Sequence, residues 1–164
     1  AELALQAICH DNSMEYVIIR PTLVYGQGVK ANFSALISVV KRGLPLPIAT
    51  VKNERSMIGI NNLIDLIITS STNPKAANQT FLASDGTDTS TPALVRLIAK
   101  SLNRQSRMFP FPIPILRLLA AVFGKSSAID KLTGSLSVDI SHTTSTLNWH
   151  PPFSIESEIA KAVK

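Results

Sequence analysis

With 164 residues, 45% of them hydrophobic and 16% charged, the chain has enough apolar side chains for one domain with a real core, which excludes a disordered polymer. The net charge of +5 and pI near 9.6 suit an anionic ligand, but only Lys41 and Arg42 are adjacent cations and aromatics make up 5%, so the pattern of a nucleic-acid surface is missing. A single cysteine, Cys9, excludes an internal disulfide and a cysteine-based metal site, and points to a reducing, cytoplasmic setting.

The opening AELALQAICHDNS has a helical pattern over 1–10, stopped by Asp11, Asn12 and Ser13. It has neither the basic lead of a secretory signal nor an initiator methionine, and we expect a chain cut from something longer. Residues 15–20 predict a strand. Four consecutive apolar residues, 16–19, suit a central parallel strand covered on both faces, and Pro21 ends it because it has no N–H for the ladder. Gly26 and Gly28 mark a loop. A helix is expected from Asn32 to Arg42, with Gly43 ending it.

Residues 44–48 are extended, 53–55 form a polar turn, and 56–60 a short strand. Asn61 and Asn62 read as the cap of a helix to Ser71, which Asn73 and Pro74 break. A strand follows over 79–83. Ser84, Asp85 and Gly86 then turn the chain, and Ser90, Thr91 and Pro92 open another helix. A proline-rich connector covers 104–114. Helical segments are expected over 115–123, 127–132 and 141–147, and Ser154 caps the last, over 155–163. The alternation of strands and helices predicts an α/β protein. The apolar run 113–123 is broken by Pro114 and Arg117 and falls short of the roughly 20 residues of a membrane span. It reads as a packed helix, and no membrane partner is expected. His10, His142 and His150 have no metal-ligand spacing, so no metal is expected either.

Five stretches carry a resemblance: IIRPTLVYGQG, KANFSALISVVKRGLPLPI, NERSMIGINNLIDLI, NQTFLASDGTDTSTPALVRLIAKSL and VDISHTTSTLNWHPPFSIESEI. In order and at this spacing they resemble the C-terminal portion of the extended short-chain dehydrogenase/reductases, in the NAD-dependent nucleotide-sugar epimerase/dehydratase branch. Within it, the chain is most similar to the bacterial group that handles UDP-N-acetylated hexoses for surface polysaccharide.

The resemblance implies the last strands of a Rossmann-type sheet plus a smaller substrate-binding α/β domain. Residues 1–30 would be terminal Rossmann elements, and 31–164 the nucleotide-sugar-binding domain with some returning Rossmann elements. The family's G-x-x-G-x-x-G and Y-x-x-x-K are absent from these residues. Tyr16 is followed four residues on by Arg20, and Tyr25 by Val29, so neither has the lysine that would lower its pKa. No catalytic residue is therefore assigned, and the chain alone is expected to be inactive.

By the same resemblance, Pro21 and Val24 flank the nicotinamide of NAD or NADP. Thr22, Lys30, Asn32 and Arg55 face the nucleotide-sugar, with Asn32 and Arg55 on the diphosphate. An asparagine at a helix start also brings free N–H groups to an anion, and the arginine fork matches a diphosphate. Leu23 stands where many relatives have a sugar-binding Asn. Residues 131–136, where relatives carry a second arginine, offer Lys131 alone. Asp85, Asp88 and Asp139 read as turn and cap residues, Trp149 as a packing element, and Asn148 as a left-handed residue in place of the family's Gly.

The implied function is the substrate-binding part of a UDP-hexose or UDP-N-acetylhexosamine 4-epimerase, a homodimer at full length. The alternatives are a reductase of UDP-4-keto-6-deoxy-hexosamine, and a non-catalytic ligand-binding or regulatory module on the same fold.

Overall fold

The computed structural model describes residues 1–28, 32–122, 124 and 126–163. Helix α1 (Glu2–Asp11) buries Cys9 and leaves Leu3, Leu5 and Ile8 exposed. It stops where Asn12 Nδ2 donates to the Ile8 carbonyl and Ser13 turns to positive φ. Strand β1 (Val17–Pro21) follows, then β2 (Leu23–Tyr25).

These short strands do not pair with each other. β1 runs parallel to β4 (Gln79–Ala83), in register from Val17 with Gln79 to Pro21 with Ala83. β2 runs parallel to β3 (Met57–Gly59), in register from Leu23 with Met57 to Tyr25 with Gly59. One residue, Thr22, passes the chain from the first pair to the second. Its N–H and its Oγ1 both donate to the Ala83 carbonyl, at 3.1 and 3.0 Å. Both pairs therefore cross the boundary expected at residue 30.

The full coverage expected for residues 16–19 is not found. Ile18 is buried, but Tyr16 and Ile19 are half-buried and Val17 is 37% exposed. Among the described residues β1 has a neighbouring strand on one edge only, and α3 packs across it.

Helix α2 (Asn32–Lys41) gives way at Gly43, whose φ of 67° needs no Cβ accommodation. The extended connection after it bridges Leu46 to Met108. β3 enters α3 (Ile60–Thr72) without a loop, and Gly59 is the N-cap. Asn61 and Asn62 are therefore not the cap. They lie inside the first turn, and their side chains reach other elements.

Helix α4 (Thr91–Ser101) is capped as expected, Ser90 Oγ accepting from Ala93 N–H at 3.3 Å. Helix α5 (Ile113–Val122) starts two residues earlier than expected. Pro114 sits in its first turn, where a missing N–H costs nothing. Helices α6 (Ser126–Thr133), α7 (Ser141–Leu147) and α8 (Ile155–Ala162) complete the chain. Asn148 ends α7 in the left-handed region, at φ 51° and ψ 41°.

The core has two parts. Phe33, Val40, Val95, Ile98 and Ile159 join α2, α4 and α8 around Tyr25 and Met57. Ile58, Leu66, Phe81, Ala83, Leu147 and Trp149 join α3, α7 and the strands. Trp149 is the packing element expected, and its Nε1–H donates to Asp65 at 2.7 Å. Phe81 is fully buried and stacks on His142 with ring centroids 5.5 Å apart. Truncating it, Phe81→Ala, is expected to cost about 3–5 kcal/mol in a denaturant melt, the range for a buried aromatic that leaves a cavity.

Candidate functional site

In open α/β sheets ligands gather beyond the C-terminal ends of parallel strands. Here those ends are Pro21 and Ala83 in one pair, and Tyr25 and Gly59 in the other. Pro21 is exposed, and Thr22 and Val24 are half-buried. The Thr22 hydroxyl proton is held by the Ala83 carbonyl, so this side chain fixes the strand crossing. Its oxygen lone pairs are what it has left for a ligand.

Arg55 stands just ahead of β3 and is half-buried. Its backbone exchanges hydrogen bonds with Thr89, N–H to carbonyl in both directions at 3.2 and 3.0 Å, and bridges Leu136. Its guanidinium donates from one terminal nitrogen to the Lys131 carbonyl, in the last turn of α6. That arrangement suits the negative end of a helix dipole. The bond uses one of the five N–H groups of the fork. Asn32 is the first residue of α2, where the helix leaves backbone N–H groups without intrahelical partners. The Asn32 side chain and the whole of Lys30 lie outside what the structure describes. Of the six candidates, Pro21, Thr22 and Val24 thus share one strand crossing, and Arg55 leads into the strand paired with it.

Sequence reasoning missed the polar cluster beneath these strand ends. Asp85, read as a turn residue, accepts from Tyr25 Oη at 2.6 Å, from Gly59 N–H at 3.0 Å and from Asn62 Nδ2 at 2.7 Å. Asn62 also exchanges bonds with the Phe153 backbone, and Asn61 Nδ2 donates to Glu158 at 2.7 Å. Glu158 is fully buried and ion-paired with Lys161 at 2.9 Å. The available signal was the spacing of Asn61, Asn62 and Asp65, three polar residues within the first two turns of a helix packed on the core. Asp88 accepts from Ser56 and Ser137, and Asp139 from Ser141, as turn residues do.

Tyr25 is fully buried. Burial first, and the bond to Asp85 second, push its phenol well above the ordinary tyrosine value. It stays protonated with its proton committed to Asp85, so it is no acid or base for a substrate. A groove of about 950 Å³ runs between the 85–90 turn, α4 and residues 151–156. None of the six candidates lines it. Its Asp85, Asp88 and Ser90 already serve internal bonds, so the strand ends remain the candidate site.

No family model matches the chain. UDP-glucose 4-epimerase of Vibrio cholerae is 52% identical to it over 157 residues, covering 95% of this chain and 48% of that protein. The chain belongs to the nucleotide-sugar epimerase/dehydratase family of extended short-chain dehydrogenase/reductases.

A second family member, the N-acetyl-α-D-glucosaminyl-diphospho-ditrans,octacis-undecaprenol 4-epimerase of Escherichia coli, is 25% identical over 122 residues, 70% of this chain and 37% of that protein. Among solved structures, the NAD complex of UDP-glucuronic acid 4-epimerase from Bacillus cereus superposes with a TM-score of 0.72 at 15% identity, over 99% of this chain and 48% of that one. That likeness shows the fold: parallel strands and helices that match the C-terminal portion of Rossmann-type epimerases. The chain spans about half the length, or less, of the curated relatives it matches.

Replacing Asp85 by Ala strands the Tyr25 hydroxyl and the Gly59 N–H and removes one acceptor from Asn62. At about 1–3 kcal/mol per buried unpaired group, the two stranded groups give an expected loss of about 2–6 kcal/mol, Asn62 keeping its bond to the Phe153 carbonyl. Tyr25→Phe should cost only about 1 kcal/mol. Urea denaturation of both variants checks the order.

Proposed function

We propose that the protein is an NAD(P)-dependent 4-epimerase of a UDP-hexose or UDP-N-acetylhexosamine, and that these residues supply its nucleotide-sugar-binding portion. The 52% identity to a UDP-glucose 4-epimerase over nearly the whole chain carries this reading. In this reading each candidate has a part. The diphosphate takes the N–H groups of Asn32 and Phe33 at the start of α2, with the Asn32 side chain, and the remaining donors of the Arg55 fork. Lys30 adds a positive charge to the same approach.

The residues present fit NAD(P) on one side only. Exposed Pro21 and half-buried Val24 form a wall at the strand ends for the nicotinamide, while no glycine-rich loop is present to hold the cofactor's phosphates. NAD(P) held there would supply reversible hydride acceptance for the sugar. Thr22 keeps the wall in place through the Ala83 carbonyl. Leu23 gives the sugar an apolar neighbour, which relaxes recognition by hydrogen bonds there. The proton at the sugar hydroxyl must be handled by a group outside these residues, because Tyr25 is committed to Asp85 and Tyr16 lacks a lysine four residues on. The exposed apolar face of α1, with Leu3 82% exposed, suits a subunit contact in a homodimer.

UDP is expected to raise the melting temperature of the intact protein. Arg55→Ala should weaken UDP binding by about 10–100-fold, the worth of one or two charge-assisted bonds. Arg55→Lys retains a donor for the Lys131 carbonyl and separates loss of the fork from loosening of α6. An undiminished UDP shift in both variants refutes the site. Residues 1–164 by themselves are expected to show no NAD-dependent interconversion of UDP-sugars, and measurable turnover overturns the assignment of the proton step.

A further inference from the structure

The net charge of the chain is concentrated. Residues 100–135 hold six of the sixteen Lys and Arg residues but one of the eleven Asp and Glu, so this segment carries a formal +5. The remaining residues balance, with ten basic and ten acidic. The whole +5 therefore sits on the segment that contains α5 and α6.

Helix α5 is apolar on two opposite sides. Ile113 packs against the core of α2, α4 and α8, Leu116 is half-buried and Ala120 is buried. On the other side Ile115, Leu118 and Val122, spaced by three and four residues, are 49%, 66% and 75% exposed. Phe109 ahead of the helix and Leu136 after α6 are exposed as well. Arg117 lies between the two apolar sides of α5 and pairs with Asp130 of α6 at 3.5 Å. That contact occupies the one acidic residue of the segment. Lys131, Arg104 and Arg107 are exposed.

No helix of the described residues is long and apolar enough to cross a membrane. Ten residues of α5 extend about 15 Å, half of a hydrocarbon core. A helix with an apolar stripe and basic surroundings can instead lie in the plane of the interface. The expectation of no membrane partner rested on the length needed to span, which interfacial docking does not require. A second copy is the poorer occupant, since a self-complementary contact would set +5 against +5.

We propose that the α5 and α6 segment docks on an anionic phospholipid bilayer. Ile115, Leu118 and Val122 enter the boundary between headgroups and acyl chains, and Arg104, Arg107 and Lys131 meet the headgroup charge.

The test is co-sedimentation of the chain with phosphatidylglycerol-containing vesicles and with pure phosphatidylcholine vesicles, at low and high salt. Binding is expected to the anionic vesicles alone and to fall with salt. The double variant Leu118→Asp, Val122→Asp should weaken it at least about tenfold. The charge-reversed pair Arg104→Glu, Arg107→Glu should weaken it about tenfold by an independent route. All four positions are exposed, and circular dichroism melts confirm that each variant folds. Ile68→Asp, at an exposed position of α3, should leave binding unchanged.

Equal binding to both vesicle types, binding to neither, or no effect of the double α5 variant overturns the proposal. So does loss of binding in Ile68→Asp, which would place the contact on α3. A dimer that the α5 variant dissociates would assign the face to a second copy and overturn it as well.

Discussion

Asp85 ties together elements that the backbone alone would leave apart. It follows directly on β4, yet its carboxylate holds the tyrosine that ends β2, the amide that ends β3 and an asparagine in the first turn of α3. Its own N–H donates to the Met57 carbonyl at 2.7 Å. Two strand pairs of three and five residues are too short to fix their mutual position by ladder bonds. A half-buried carboxylate with three buried donors can do so, because each group it satisfies would be costly to leave unpaired. Gly59 belongs to the same constraint. A Cβ there would stand 2.7 Å from Glu158 Cγ, so α8 and the end of β3 approach as closely as they do only over a glycine.

The candidate site depends on this arrangement. Thr22 sets the crossing from β1 to β2, and the crossing sets where Pro21 and Val24 stand. Arg55 is held by three separate contacts: Thr89, Leu136 and the carboxyl-terminal turn of α6. The guanidinium is thereby preorganised, so little side-chain entropy remains to be lost on meeting an anion. Fixing it to a helix end also makes the position of α6 part of the proposed anion site.

Local signals in the sequence located most elements. Ser90 and Ser154 mark helix starts by supplying an oxygen to an N–H three residues on, which a short-range pattern records faithfully. Gly43 and Asn148 mark ends by tolerating positive φ. In the sequence Pro114 reads as a breaker, whereas in the first turn of α5 it is a helix former, so the helix starts two residues ahead of where the pattern puts it. The roles of Asn61, Asn62 and Asp85 were not legible, since their partners lie 23 to 97 residues away and any polar pair beside a helix start resembles a cap. Among site residues, the positions of Pro21, Thr22 and Val24 follow from a strand signal. The bond from Arg55 to Lys131 spans 76 residues and has no sequence signature.

The crossing at Thr22 has a consequence for how the chain acquires its structure. Its anchor, Ala83, is 61 residues downstream, and β1 has no described partner strand but β4. As the polypeptide emerges from a ribosome, the β1–β4 ladder and the anchor of the crossing form only after residues past 83 are free. Such non-local parallel pairing closes a long loop before any ladder bond compensates, which makes it slow. During that interval the edge of β1 that will receive β4 stays open. The crossing that carries Pro21 and Val24 is therefore completed late in synthesis, only once the strand that anchors it has been made.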